Sequence, residues 1–453
     1  MQKADLVVVG GGPAGYVPAI RAAQLGRSVV LVESAELGGT CLNRGCIPTK
    51  TLASTARLLR QAGACSRFGL AGRLEMNWGE VSKRKNLVVT RLRKGIEAHF
   101  ARLGIRVVRG RALLKGPGLV VADGEEFPAS KVLLAPGSVP LVPGFLQAPG
   151  VLTSDDVLGW ESLPESLLII GGGVIGCEFA SILSAMGVKV TIVEMLPSIL
   201  PGVDRDVSDV VARSLSRSGV AILTGNATEG VEAGDEQATV RLADGTRLSA
   251  GKVLAAIGRR ARTREMGLEE AGVELDSRGC IRVDAHGMTS LPGVYAAGDA
   301  TGIWWLAHAG SAQGIAAVHH AFGAPGRPVD PDCMPGCIFT DPEVATVGPG
   351  EEEWRSRGVA VRTGISRYIA NGKAVGMNET EGFVKIIARE HDDRVVGVQI
   401  VGADASSLAS GAVVAVGARI KAADWARFIH PHPTLSELMM EAAESLGIGA
   451  LHG

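Results

Sequence analysis

The chain has 453 residues, a formal net charge of -1 and seven cysteines, long enough for roughly two to four domains with large cores. The near-neutral balance leaves no electrostatic case for nucleic acid or an anionic membrane as a partner. Aromatics at 4% and 61 glycines suit tight turns between strands and helices better than a base- or sugar-stacking surface. The opening "MQKADLVVVGGGPAGY" has too short an apolar run, broken by glycines, for a signal peptide or a spanning helix. With the odd, scattered cysteines, this points to a soluble protein of a reducing, cytoplasmic compartment with no membrane partner.

Residues 5–33 run apolar strand, glycine turn, helix, apolar strand, acid. Gly10, Gly12 and Gly15 fit G-x-G-x-x-G: the first permits the turn, the second lets backbone approach a pyrophosphate, and the third lets helix pack on strand. Glu33 closes the second strand, where a carboxylate accepts ribose hydroxyls. Pro18 lies inside the helix, near its N-terminal turn, where a local kink is expected rather than loss of the helix.

"GGTCLNRGCIPTK" (38–50) follows, with Cys41 and Cys46 five residues apart. Zinc hairpins use closer spacings and two further ligands, and thioredoxin-type pairs are separated by two residues. In a regular helix, residues five apart have Cα atoms roughly 8.5 Å from each other, whereas a disulfide needs about 4.4–6.8 Å. A bridge would therefore require a distorted loop, and Gly45, directly before Cys46, is where the chain bends cheaply. Residues 77–103 read as an amphipathic helix with a basic, solvated face. Residues 105–138 read as short strands returning to the first sheet.

The glycine pattern recurs at 167–194, with Gly171, Gly173 and Gly176 in the turn and Glu194 ending the second strand. A second dinucleotide is implied, or one fold duplicated. Glu194 would repel a 2′-phosphate and so favours NAD over NADP; a solvated strand end is the alternative. Residues 247–263 close this second unit, with Gly258 at a strand end. "LPGVYAAGDATG" (291–302) is a strand followed by Gly298 and Asp299, an acid placed for a cofactor hydroxyl or for a plain turn. Cys333 and Cys337 have no second ligand pair nearby and mark a domain boundary rather than a metal site. Cys65, Cys177 and Cys280 read as core or surface residues.

The cysteine loop, both glycine turns, "AAGDATG" and the tail "HPHPTLSELMMEAAE" together resemble the flavoprotein disulfide reductases, over essentially the whole chain. The resemblance implies an α/β protein with two Rossmann-like dinucleotide-binding domains, for FAD (1–145) and NAD (146–264). It further implies a central region returning to the FAD domain (265–333) and a C-terminal α+β dimerisation domain (334–453). Cys41 and Cys46 become the redox-active disulfide, the first exchanging with a dithiol substrate and the second lying against the flavin. His432 backed by Glu437 becomes the acid–base pair, acting on the other subunit's disulfide. Lys50 and Glu178 occupy the positions of an ion pair beside the flavin, and the helix starting at Ala307 points its N-terminus at it. The implied activity is oxidation of protein-bound dihydrolipoyl groups with reduction of NAD, in a homodimer that meets lipoyl domains and the acyltransferase core of a 2-oxo-acid dehydrogenase complex.

The chemistry is consistent with that assignment. A dithiol reduces a disulfide only as a thiolate, so a base must take a proton, and a neutral histidine fixed by a carboxylate suits the task. His432 and Glu437 can meet only if the segment turns before its helix. Pro136, Trp304 and Trp305 depart from the family pattern near the flavin. Among rivals of the same architecture, a glutathione reductase would want NADPH, against Glu194, and a mercuric reductase would want a C-terminal cysteine pair that "SLGIGALHG" lacks. A mainly binding role within a complex is the alternative of a different class.

Overall fold

The computed structural model describes residues 3–234, 237–447, 449 and 452. The first apolar runs form β1 (Ala4–Val9) and β2 (Val29–Glu33), joined through α1 (Pro13–Gln24). Apart from Asp5 and the terminal Glu33, both strands are apolar throughout, as expected where helices cover the faces of a parallel sheet. β3 (Arg106–Arg109) extends the sheet beyond β2, and the meander β4 (Ala112–Gly116), β5 (Leu119–Ala122) and β6 (Glu125–Leu134) lies on the other side, with β6 parallel to β1. Between β2 and β3 run α2 (Gly39–Arg44), α3 (Cys46–Gly63) and α4 (Trp78–Leu103). Pro18 does not end α1. It is buried, and Gly314 opposite makes room for it, since a Cβ there would stand 2.6 Å from the proline ring.

The basic face of α4 is not uniformly solvated. Asn77 caps the helix by accepting from the Glu80 N–H, but Lys85 is buried and donates to the Leu158 carbonyl. This contact ties the first unit to the segment that enters the second.

The second parallel sheet is β7 (Ser166–Ile170), β8 (Lys189–Glu194), β9 (Ala221–Thr224) and β10 (Lys252–Ala255), with Val151–Leu152 at its edge. α5 (Val174–Ala185) links β7 to β8, and α6 (Arg205–Arg217) links β8 to β9. Of residues 247–263, only β10 joins this sheet. Arg247–Ala250 belongs to a separate three-stranded sheet, and Arg259–Ala261 pairs antiparallel with Ser138–Pro140. Gly258, at φ +132°, turns the chain away between them, a conformation that side-chain-bearing residues rarely adopt.

β11 (Val294–Ala296) then returns to the first sheet, parallel to β6, and α7 (Ala307–Ala321) packs against α1. The last unit is an antiparallel sheet of β12 (Pro335–Ile338), β13 (Glu343–Val347), β14 (Val361–Arg367), β15 (Phe383–Arg389) and β16 (Val395–Gly402), in the order β12-β13-β16-β15-β14. α8 (Ala405–Gly417) and α9 (Glu437–Ser445) cover it. The fold is thus two dinucleotide-type α/β units and a C-terminal α+β unit.

Leu52 and Ala56 of α3 share one hydrophobic cluster with Phe179 and Leu183 of α5 and with Ile338, Phe383 and Val401 of the C-terminal sheet. α3 is therefore packed between two other units, and Cys46 is its first residue. A buried charge cluster makes a second tie. Lys385 Nζ lies 2.7 Å from Asp204 Oδ2 and 2.8 Å from Asp206 Oδ1, joining β15 to the start of α6.

Candidate redox site and dinucleotide turns

Both glycine turns leave their helix N-termini without a side-chain cap, at Gly12 and Gly173, so backbone N–H groups there remain available to an anion. The outer glycines are required by close approach. A Cβ on Gly10 would stand 2.2 Å from the Ala135 carbonyl oxygen, and one on Gly15 1.9 Å from that of Gly10. The second turn repeats the arrangement, with 2.5 Å from Gly171 to the Ala256 oxygen and 2.0 Å from Gly176 to the Gly171 oxygen. A Cβ on Gly173 would meet no protein atom within 4 Å, which leaves open space where a phosphate group belongs. The residues fit two dinucleotides.

The two strand-end acids are held identically. Glu33 accepts from the Gly11 N–H at 2.6 Å and the Ala35 N–H at 2.7 Å. Glu194 accepts from Gly172 at 2.7 Å and Leu196 at 2.8 Å. Each carboxylate is buried against its own turn, one oxygen per N–H. Glu33 Oε1 also accepts from the Ser34 hydroxyl at 3.4 Å, and the other three oxygens each retain a lone pair for a second donor. Glu194 is thus a fixed acceptor rather than a loose strand end.

Gly39 lies on the first turn, since a Cβ there would stand 2.5 Å from the Gly12 Cα. The cysteine loop is thereby seated beside the first dinucleotide site. The helix breaks at Gly45 (φ -146°, ψ -112°), between α2 and α3, where a Cβ would crowd the Thr40 carbonyl oxygen at 2.9 Å. This is the distortion that the cysteine spacing demanded. Cys41 and Cys46, both free thiols, come together across it as a hydrogen-bonded pair.

The pair is electrostatically unequal. The Cys41 thiol bonds to the Cys46 sulfur and, with help from the Lys50 ammonium, pulls the Cys46 thiol down to about 7 against burial and the Glu178 charge. The same hydrogen bond, together with burial, pushes Cys41 up. Lys50 Nζ lies 2.8 Å and 2.6 Å from the two oxygens of buried Glu178. Phe339, just after β12, completes the group: its N–H donates to Glu178 Oε1 at 2.9 Å and its ring centroid is 4.6 Å from Lys50 Nζ.

Asp299 accepts from the Ser138 hydroxyl, and Arg259 donates to Ser138 Oγ at 2.7 Å and to its carbonyl at 3.1 Å. The Gly298 N–H donates to Gln313 Oε1 at 2.9 Å. Ala307 opens α7, whose N-terminus likewise has no side-chain cap. Trp304 and Trp305 precede it. Ser138, Arg259, Gln313 and Phe339 were not singled out from sequence. Each acts on a residue 15 to 161 positions away, and no local motif marks such a partner.

His432 and Glu437 meet at the C-terminus, where α9 begins at Glu437. His432 Nδ1 is 2.9 Å from Glu437 Oε1, and the Thr434 N–H donates to Glu437 Oε2 at 2.8 Å. Those two bonds hold the Glu437 carboxyl below its ordinary range although burial acts the other way. Buried Asn371 fixes the same turn through the Thr434 carbonyl at 3.0 Å. The His432 side chain is 78% exposed. Among the described residues, neither His432 nor Glu437 shares a hydrogen bond or ion pair with the cysteine loop. Cys333 and Cys337 pack against the C-terminal core, and Cys177 and Cys280 are buried.

Two pyrophosphate turns, a thiol pair five residues apart and a C-terminal antiparallel sheet define a class of flavoprotein. The chain belongs to the pyridine nucleotide-disulphide oxidoreductases: that family's model matches residues 4–321, and its dimerisation domain matches residues 334–443. Within the class, the chain is similar to dihydrolipoyl dehydrogenases. It is 38% identical to that of Thermus scotoductus, covering 100% of this chain and 99% of the relative, and 37% identical to one from Bacillus subtilis, covering 96% and 97%. The crystal structure of LpdA from Mycobacterium tuberculosis superposes with a TM-score of 0.91 at 30% identity, over 97% of this chain and 99% of that one. The HOCl-induced flavoprotein disulfide reductase RclA from Escherichia coli follows at 0.87 and 29%, over 97% and 99%. Among the described residues, no helix is long and apolar enough to cross a membrane.

Proposed function

We propose that the protein oxidises dihydrolipoyl groups carried on proteins to the lipoyl disulfide and reduces NAD, as a cytoplasmic homodimer serving a 2-oxo-acid dehydrogenase complex through its lipoyl domains and acyltransferase core. The unequal thiol pair beside a buried ion pair carries this reading, because it supplies one sulfur for exchange and one suited to the thiolate state. FAD would be held by Gly10, Gly12, Gly15, Glu33, Asp299 and the α7 start at Ala307, and NAD by Gly171, Gly173, Gly176, Glu194 and Gly258. When bound, FAD supplies a two-electron acceptor between the cysteine pair and NAD.

The chain's own residues perform the thiol chemistry. His432 uses Nδ1–H toward Glu437, which leaves Nε2 as the lone-pair nitrogen facing solvent. Nε2 takes a proton from one substrate thiol, and Glu437 stabilises the imidazolium. The substrate thiolate attacks Cys41 of the oxidised pair, forming a mixed disulfide and breaking the Cys41–Cys46 bond. Cys46 leaves as a thiolate, favoured by Lys50. The second substrate thiol then attacks the first sulfur, closing the lipoyl disulfide and releasing Cys41, which takes up the proton that the second thiol gives up. Two electrons have moved from the substrate to the cysteine pair.

Titration of the purified flavoprotein with free dihydrolipoamide tests this reading. A long-wavelength thiolate-to-flavin band should appear after two electrons. Cys46→Ser should abolish the band, while Cys41→Ser leaves Cys46 able to produce it. Bleaching of the flavin in one step, with no such band in the unaltered protein, would overturn the relay.

A further inference from the structure

The Lys50 ammonium stands between two acidic surroundings. On one side is Glu178, close to Cys46. On the other is a cavity of about 180 Å³ whose walls carry Lys50, Phe339 and four carboxylates (Asp341, Glu343, Glu379 and Asp404) against two guanidiniums, Arg57 and Arg60. Three of those carboxylates are engaged: Asp404 with Arg57 at 2.9 Å, Asp341 with Arg60 at 3.2 Å, and Glu343 with the N–H and hydroxyl of Ser406. The Glu379 carboxyl is raised by burial and by Asp341, while the Arg57 and Arg60 guanidiniums act against that rise. A long, flexible lysine stem has several rotamers to lose when it is fixed. An ammonium that turned into the cavity would share the Glu379 carboxylate with Arg57 and Arg60 and would leave Cys46 uncompensated.

Phe339 lies where that choice is made. Its backbone N–H fixes Glu178, its ring presents a π face to the ammonium, and it forms part of the cavity wall. A cation over an aromatic face is favoured, the more so where water is partly excluded. We propose that Phe339 is a positioning residue that holds Lys50 on Glu178 and out of the cavity, so that the C-terminal unit sets the ease with which Cys46 becomes a thiolate. This rests on the assignment of Cys46 and Lys50 given above. The other titratable groups near Cys46, Lys50 and Glu178 are Cys41, with Tyr16 near it, Cys177 beside Glu178, and Cys337 near Lys50 and Glu178.

The ring can be removed while the N–H is kept. In dithiol-reduced holoenzyme, the ultraviolet absorption of the thiolate and the long-wavelength flavin band are followed together against pH. Phe339→Leu should raise the thiolate midpoint by about half to one pH unit, which is roughly three- to tenfold less thiolate at a fixed pH below the midpoint. Phe339→Tyr should return it to the original value. Adding Glu379→Gln to Phe339→Leu should recover part of the shift by removing the competing carboxylate. If the Leu variant loses flavin or fails to fold, Phe339→Met provides a second ringless side chain of similar size. An unchanged midpoint in the ringless variants, or an equal shift in the Tyr variant, overturns the positioning role. A shifted ultraviolet midpoint with no long-wavelength band in any protein supports Phe339 and instead removes the contact between Cys46 and flavin.

Discussion

Cys41 and Cys46 share a loop and a hydrogen bond, yet their chemistry diverges because one donates and the other accepts. A thiol whose folded-state pKa lies below its ordinary value favours the charged form, and that advantage is lost as pH falls through the folded value. The thiolate-to-flavin band of the reduced protein should therefore be full in mild alkali and fade as pH drops through about 7. A band that persists unchanged well into acid would contradict this assignment. Glu194 permits a second prediction. Both of its oxygens are already tied to N–H groups, so the negative charge cannot swing away from a 2′-phosphate. Like charges forced together cost several kcal/mol, and kcat/KM should favour NAD over NADP by ~100-fold or more. Equal values would refute it. At this scale, the sequence was informative wherever partners are near in the chain or set by a spaced motif, as at the glycines, Cys41 and Cys46, or His432 and Glu437. Ser138, Arg259 and Phe339 were illegible because nothing local distinguishes a residue whose partner lies more than a hundred positions away.

α3 links the redox pair to the rest of the fold, beginning with Cys46 and Lys50 and continuing into a core shared with α5 and the C-terminal sheet. The break at Gly45 could be anticipated from disulfide geometry alone. The clamp of the C-terminal unit onto this region could not, because burial of Lys385 with Asp204 is invisible in a strand that reads "FVKIIAR". An alternating pattern would normally turn that lysine to solvent, but this strand is covered on both faces and the charge is kept by its partners. Removing one member of a buried ion pair strands the other, at a cost of about 3–5 kcal/mol. Lys385→Met should accordingly lower the melting temperature and the urea midpoint, while Lys385→Met with Asp204→Asn should recover part of the loss. An unaltered urea midpoint in the single variant would show that the cluster carries no stability. Residues 247–263 show the same limit in a different form: the strands were legible, but not that Arg247–Ala250 pairs with residues 238–241, nor that the chain turns at Gly258 to pair Arg259–Ala261 with Ser138–Pro140.

Within one chain, and among the described residues, His432, the proposed base, shares no hydrogen bond or ion pair with the cysteine loop. His432 projects from the C-terminal unit with its ring largely in solvent, and the preceding Phe428 and Ile429 are exposed, Ile429 at 98%. Apolar side chains exposed beside His432 are poorly explained by water and well explained by a second subunit, and residues 334–443 match the family's dimerisation domain. We therefore expect His432 and Glu437 of one subunit to serve Cys41 of the other. A monomer would hold a cysteine pair without its base and should lose the ~10²- to 10⁴-fold contributed by positioned acid–base catalysis. Complementation separates this arrangement from an intrachain one. In a purified heterodimer of a Cys41→Ser subunit and a His432→Gln subunit, a shared site collects both lesions at one cysteine pair and leaves the other pair with an intact base. Dithiol-dependent NAD reduction should then recover to the rate of one intact site per dimer, with flavin content confirming that both subunits are loaded. In the intrachain arrangement each site carries one lesion, and activity stays at the level of the parent variants. That second outcome would place the base with its own chain's cysteines and would require His432 to move toward them within the subunit.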